Sequence, residues 1–184
     1  ESQEVLFRDH TTGLELRVTA RVFDDFPAIE WVAKFKNTGA TDTPLLKQIQ
    51  ALDGVFTLPA AKATTLHWAL GGVASFDDFA PRTTELKPGA AFALQCRDGR
   101  SSSEVLPFFN LEGEGAGVVL AVGWSGKWLA KFDSAQAGTV RVQAGLAHTS
   151  LILRPGEEIR TPSMLALFYQ GDRWRGQNLL RQFI

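Results

Sequence analysis

From Leu14 to Val22 the chain alternates between two kinds of residue. Leu14, Leu16, Val18, Ala20 and Val22 interleave with Glu15, Arg17, Thr19 and Arg21. In an extended backbone successive side chains point to opposite faces, so this pattern specifies a half-buried β-strand. After Asp24-Asp25-Phe26-Pro27 the parity resets. Ile29, Trp31, Ala33 and Phe35 then form a second apolar face opposite Glu30, Lys34 and Lys36, and Asn37-Thr38-Gly39 supplies turn chemistry. Similar segments recur near 45–51, 54–58, 90–96, 105–111, 117–123, 127–132, 139–145, 147–153 and 163–169. Turn residues separate them, as at Lys87-Pro88-Gly89, Ala137-Gly138 and Arg154-Pro155-Gly156. Many short strands at this spacing predict an all-β, antiparallel β-sandwich. At 184 residues, roughly 70% of the unfolded surface can be buried, enough for one core. The sandwich is expected to span 1–170.

The last segment, 171–184, changes period. Asp172 is a suitable helix cap, and Trp174, Leu179, Leu180, Phe183 and Ile184 recur near helical spacing. A short amphipathic helix needs a surface to cover, either the sheet or a following domain. Trp174 is expected to pack in that helix. Glu1–Phe7 is already strand-like. Both ends therefore read as cuts from a longer polypeptide.

Several function classes fall away. The net charge is −1 and no basic run occurs, so a nucleic-acid partner is not expected. No apolar run approaches the ~18–20 residues of a membrane span. A lone cysteine, Cys96, excludes an internal disulfide and a cysteine metal site. His10, His67 and His148 lack metal-ligand spacing, so no metal is expected. No phosphate-binding glycine motif is present, so no nucleotide cofactor is implied. Gly123-Trp124-Ser125-Gly126 is not the strand-to-helix elbow of a serine nucleophile.

What remains is a set of residues suited to carbohydrate. Trp124 and Trp128 flank a glycine-containing turn and are candidates for a platform against the C–H face of a sugar. The alternative is that they pack against a neighbouring strand or domain. Arg100, Ser101 and Ser102 offer hydrogen bonds to sugar hydroxyls, or to a partner's backbone. Trp68, beside His67, reads either way, whereas Trp31 lies on an apolar parity and reads as core. Asp24-Asp25 and Asp77-Asp78 look like acid pairs, but adjacent strand residues face apart. A glycosidase dyad would need Asp24 and Asp78 to meet across space; the bland alternative for Asp24 is a turn before Pro27. One exposed tryptophan on a sugar buries on the order of 100 Å², about 2.5 kcal/mol at ~25 cal/mol/Å². Hydrogen bonds add roughly 1 kcal/mol each, and the entropy of association consumes much of the sum. A single sugar would bind near ~1 mM or more weakly.

Gly13-Leu14-Glu15-Leu16-Arg17-Val18, Phe23-Asp24-Asp25-Phe26-Pro27-Ala28-Ile29-Glu30-Trp31 and Phe35-Lys36-Asn37-Thr38-Gly39 resemble the N-terminal domain of glycoside hydrolase family 36. The match continues through Gly99-Arg100-Ser101-Ser102, Pro107-Phe108-Phe109, Val122-Gly123-Trp124-Ser125-Gly126 and Pro155-Gly156-Glu157-Glu158. It ends at Gly171-Asp172-Arg173-Trp174-Arg175-Gly176-Gln177-Asn178-Leu179-Leu180-Arg181, which looks like the join to a catalytic barrel. The resemblance implies an antiparallel β-supersandwich joined to a (β/α)8 barrel of the same polypeptide, in which the catalytic aspartates of these α-galactosidases lie. No catalytic residue carries over to this chain, and some upstream strands usual in the family are missing. Three functions follow as expectations: an accessory domain of an α-galactosidase-like hydrolase, a self-sufficient carbohydrate-binding module with oligosaccharide as partner, or a purely structural or oligomerising domain.

Overall fold

A computed structural model describes residues 1–60 and 62–184. Its strands, in chain order, are β1 (Ser2–Arg8), β2 (Leu14–Val22), β3 (Ala28–Asn37), β4 (Leu46–Lys47), β5 (Gln50–Thr57), β6 (Thr64–Ala69), β7 (Pro81–Leu86) and β8 (Ala91–Gln95). They continue with β9 (Phe108–Glu112), β10 (Ala116–Gly123), β11 (Trp128–Gln136), β12 (Thr139–Leu146), β13 (Ser150–Leu151), β14 (Glu158–Arg160) and β15 (Ser163–Gln170), before one helix, α1 (Arg173–Phe183). A nine-stranded sheet runs β1-β2-β3-β15-β10-β9-β6-β7, with β14 also on β3. A four-stranded sheet runs β5-β12-β11-β8. The fold is the all-β antiparallel sandwich that the alternation predicts.

The core fills the space between these two sheets. The inner face of the large sheet supplies Leu66, Phe109, Leu111, Val118, Leu120 and Met164, and the small sheet supplies Trp128, Phe132, Val140 and Val142. Edge-to-face rings bind the layers. Phe109 on β9 lies 5.4 Å from Trp128 and 5.3 Å from Phe132 on β11. Trp31 is partly buried against this core, and its indole Nε1 donates to the Ala51 carbonyl at 2.7 Å, tying β3 to β5.

The strand limits depart from the alternation where burial changes. The segments read at 45–51 and 54–58 resolve into a two-residue β4 and the longer β5. Only Ser150–Leu151 of 147–153 is strand. Strands β6, β7 and β14 carry no clean period-two signal of their own. The clearest alternating stretch, β2, is not buried on its apolar side: Leu16 and Val18 stay half-exposed, while Glu15 is buried. Glu15 accepts hydrogen bonds from Arg8 and Arg17 at 3.0 and 3.2 Å. The Arg8 guanidinium leads in holding its carboxyl below the usual range. Beyond β3, neither β1 nor β2 contributes to the core between the sheets, and β1 is exposed along its whole length.

The outer face of the large sheet carries a second apolar cluster: Ala28, Val119, Ala121, Leu165, Leu167 and Tyr169. Helix α1 lies on it through Leu179, Leu180 and Phe183. Phe183 stacks edge-on against Phe23 and Phe26, with centroids at 4.7 and 5.4 Å. Asp172 caps the helix as expected, accepting from the Arg175 amide at 3.1 Å. Gly176 permits the close approach, because a Cβ there would stand 2.5 Å from the Tyr169 ring. Trp174 departs from expectation: it stays 57% exposed and is not part of this cluster.

Candidate functional site

Three connections converge at one end of the sandwich: the β6–β7 turn, the 96–107 loop and the β10–β11 turn. Gly71 donates to the Glu104 carbonyl at 2.8 Å, and Gly72 to the Ser102 carbonyl at 2.9 Å. The approach is so close that a Cβ on Gly71 would sit 1.9 Å from the Ser102 oxygen, so only glycine fits there. Arg100 and Ser102 are exposed, Ser101 is half-buried, and Trp124 is half-buried under the Arg160 guanidinium, 5.2 Å from its ring centroid.

Trp128 does not join them at the surface. It opens β11 on the parity that faces the large sheet, and it is 0% exposed. Its indole Nε1 donates to the Ser101 carbonyl at 2.8 Å. Trp128 therefore anchors the loop from below and cannot stack on a sugar; the paired platform read from the sequence is corrected to a core tryptophan beside a half-buried one. Trp68 also packs between the sheets, its ring 5.9 Å from Phe92 and its Nε1 donating to the Thr84 hydroxyl at 3.1 Å.

The two aspartates are separated as well. Registers across β3, β15, β10, β9 and β6 place the 23–27 turn at the end of the large sheet opposite the β6–β7 turn. Asp24 and Asp78 therefore form no dyad. Asp24 is exposed in its turn. Asp78 accepts from the Val73 and Ala74 amides, each at 3.0 Å. The Val73 hydrogen bond is the main reason its carboxyl titrates below the usual value. It is a loop-bracing residue.

A site that the alternation does not point to lies on the helix side. Between the first turns of α1 and strands β6, β7 and β9 runs a groove of about 530 Å³. In register, Thr83, His67 and Asn110 stand side by side on the outer face. His67 Nε2 meets a Glu112 carboxylate oxygen at 2.7 Å. The other Glu112 oxygen accepts from the Arg173 backbone amide at 2.8 Å, pinning the start of the helix. His67 Nδ1 faces the Arg173 guanidinium at 3.3 Å and the Thr83 hydroxyl at 3.4 Å. A guanidinium only donates, so Nδ1 is the acceptor and Nε2 carries the proton toward Glu112. Both Glu112 oxygens are thus engaged.

Asn110 forms part of the groove floor and is 5% exposed. Its Oδ1 accepts from the Tyr169 hydroxyl at 2.7 Å, while its Nδ2 has no partner among the described residues. A buried donor without a partner costs about 1–3 kcal/mol. Burial pushes the Tyr169 phenol up to about 12. Trp174 and Phe108, 57% and 38% exposed, supply aromatic surface at the rim. Trp68 beside His67, which the sequence leaves open, and Trp174 near the helix start all line this groove, but no local pattern joins them. Their meaning depends on β6, β7 and β9, which only the fold brings there.

The model of the glycosyl hydrolase family 36 N-terminal domain matches residues 1–151. The chain belongs to this family. The family 36 domain is 27% identical over 177 residues to the α-galactosidase AgaA of Geobacillus stearothermophilus, covering 91% of this chain and 23% of that protein. It superposes on the crystal structure of the same AgaA with a TM-score of 0.75, at 24% identity, over 92% of this chain and 24% of that one. The α-galactosidase of Lactobacillus brevis gives a TM-score of 0.78 at 23% identity, over 99% of this chain and 24% of that one. The family 36 domain thus spans about a quarter of the length of the relatives it matches.

Proposed function

We propose that this chain is the non-catalytic N-terminal accessory domain of an α-galactosidase-like glycoside hydrolase, supporting a catalytic (β/α)8 barrel in the same polypeptide. The observation that carries the reading is the family match over residues 1–151, in relatives about four times as long. Chemistry supports it. A retaining glycosidase needs two carboxyl groups about 5–5.5 Å apart on one sugar. Here Asp24 and Asp78 are at opposite ends, and Glu112 is fully engaged by His67 and Arg173.

The surface offers a place for such support. In the β6–β7 turn Val73, Phe76 and Phe79 are exposed, Phe76 completely. Ala74 and Phe79 each hold a φ of 64°, a left-handed conformation unfavourable to side chains. Asp78 braces the turn through two amides. A turn held in a costly shape while showing apolar side chains to water suits a docking edge for the barrel. The test is turnover of an aryl α-galactoside. The 184-residue chain is expected to give none. The longer polypeptide is expected to be active and to lose thermal stability on Phe76→Ser. Turnover by the chain alone, abolished by Asp24→Asn or Asp78→Asn, would overturn the reading.

Carbohydrate binding by the domain itself is the second reading. At the loop end it would use Trp124 with Arg100 and Ser102. The helix-side groove favours it more strongly.

A further inference from the structure

We propose that the groove between α1 and strands β6, β7 and β9 is a saccharide-binding site, in which a pyranose ring lies against Trp174 and Phe108 while its hydroxyls meet Asn110, Arg173 and Gln177. The proposal rests on the carbohydrate-binding reading, not on the support of a barrel, and requires only this chain.

Three observations converge. The groove, at about 530 Å³, falls within the roughly 300–1,000 Å³ of small-molecule sites. It joins aromatic faces to directed polar groups, which is the combination that a sugar requires. The Arg173 guanidinium lies 4.6 Å from the Trp174 ring centroid, which stiffens that ring and covers one face, while the residue as a whole remains 57% exposed. The second is the Asn110 amide. It is 95% buried in the groove floor, its oxygen is taken by Tyr169, and its nitrogen has no partner among the described residues. That nitrogen is closed to solvent as the side chain stands, and a hydroxyl oxygen at the floor satisfies it once the amide turns toward the groove.

The third is charge. Among the described residues no carboxylate lines the groove, whereas Arg82 and Arg173 do. Arg82 is partly neutralised by Asp77 at 3.3 Å. Arg173 has no carboxylate partner for its guanidinium among the described residues, and it spends one donor on His67 Nδ1. The lining is therefore rich in donors and poor in acids. It suits the lone pairs of a polyhydroxylated ligand, repels cations and lacks the acid pair that hydrolysis would need. His67 and Glu112 are positioning residues here: they fix the helix start and with it the placement of Arg173 and Trp174.

The experiment is a titration of the 15N-labelled chain with galacto-, gluco-, manno- and xylo-oligosaccharides up to ~10 mM, an order above the ~1 mM scale of a minimal site. At least one series is expected to give saturable shifts of the Trp174 indole and the Asn110 side-chain amide. Trp174→Ala, at an exposed position, is expected to keep the fold and weaken binding at least tenfold. Trp124→Ala is expected to leave affinity unchanged. Absence of saturable shifts at the groove in all four series overturns the proposal. So does binding that survives Trp174→Ala, or shifts confined to Trp124 and Arg100. Any of these results leaves the accessory-domain reading intact, since that is judged by whether the 184-residue chain turns over an aryl α-galactoside.

Discussion

At the scale of single residues, the tryptophans illustrate how one residue type divides between roles. Trp128 is fully buried, makes edge contact with Phe109 and donates to the Ser101 carbonyl. Trp128→Ala removes a large ring from a close-packed site and orphans that carbonyl. The expected loss is about 3–5 kcal/mol in urea denaturation. Trp174→Ala, by contrast, should fall near the ±0.5 kcal/mol of surface changes. Tyr169 gives a pH signature. Its phenol titrates near 10.0 when unfolded and at about 12 in the fold, chiefly through burial. Between those values the native state holds the proton that the unfolded state has released, so stability falls as pH rises. It is present in full below pH 10 and lost progressively toward 12. Denaturation midpoints measured across this range should decline, and Tyr169→Phe should flatten that part of the decline. An equal slope in the variant would assign the loss to other groups.

At the scale of elements, α1 is the piece whose role depends most on its neighbours. Eleven residues form a marginal helix in water. Packing of Leu179, Leu180 and Phe183 on the large sheet stabilises it, and Gly176 lets it come close to Tyr169. Truncation after Gly171 should lower the melting temperature and raise binding of a hydrophobic dye, because Val119, Leu167 and Ala28 lose their cover. An unchanged melting curve would mean that the helix adds nothing to the sandwich. Much of the strand content was legible from period-two alternation, and so was the Asp172 cap. β6 and β7 were not. Thr64-Thr65-Leu66-His67-Trp68-Ala69 mixes polar and aromatic residues on both parities, because one side faces the core and the other faces a polar groove beside a helix. β2 misled in the opposite sense: its alternation is clean, yet its apolar side lies outside the core between the sheets.

At the scale of the whole molecule, both principal sheets share one core, and the helix rests on a sheet that contributes to it. We propose the sandwich 1–170 and the helix 171–184 as one cooperative unit. Calorimetry should show a single transition with equal calorimetric and van't Hoff enthalpies; a separate low-temperature transition for the helix would contradict this. What the sequence determined by itself is the class of fold, the family and the terminal helix. Those follow from local periodicity, turn chemistry and ordered motifs, all written in short stretches of chain. The tertiary structure alone decided which aromatic residues meet solvent, that Asp24 and Asp78 never meet, and that His67, Asn110 and Arg173 line one groove, with Glu112 holding His67 and the Arg173 amide from outside its lining. The physical reason is sequence separation. His67 and Arg173 are 106 residues apart, and they are joined by strand pairings whose partners no local pattern specifies.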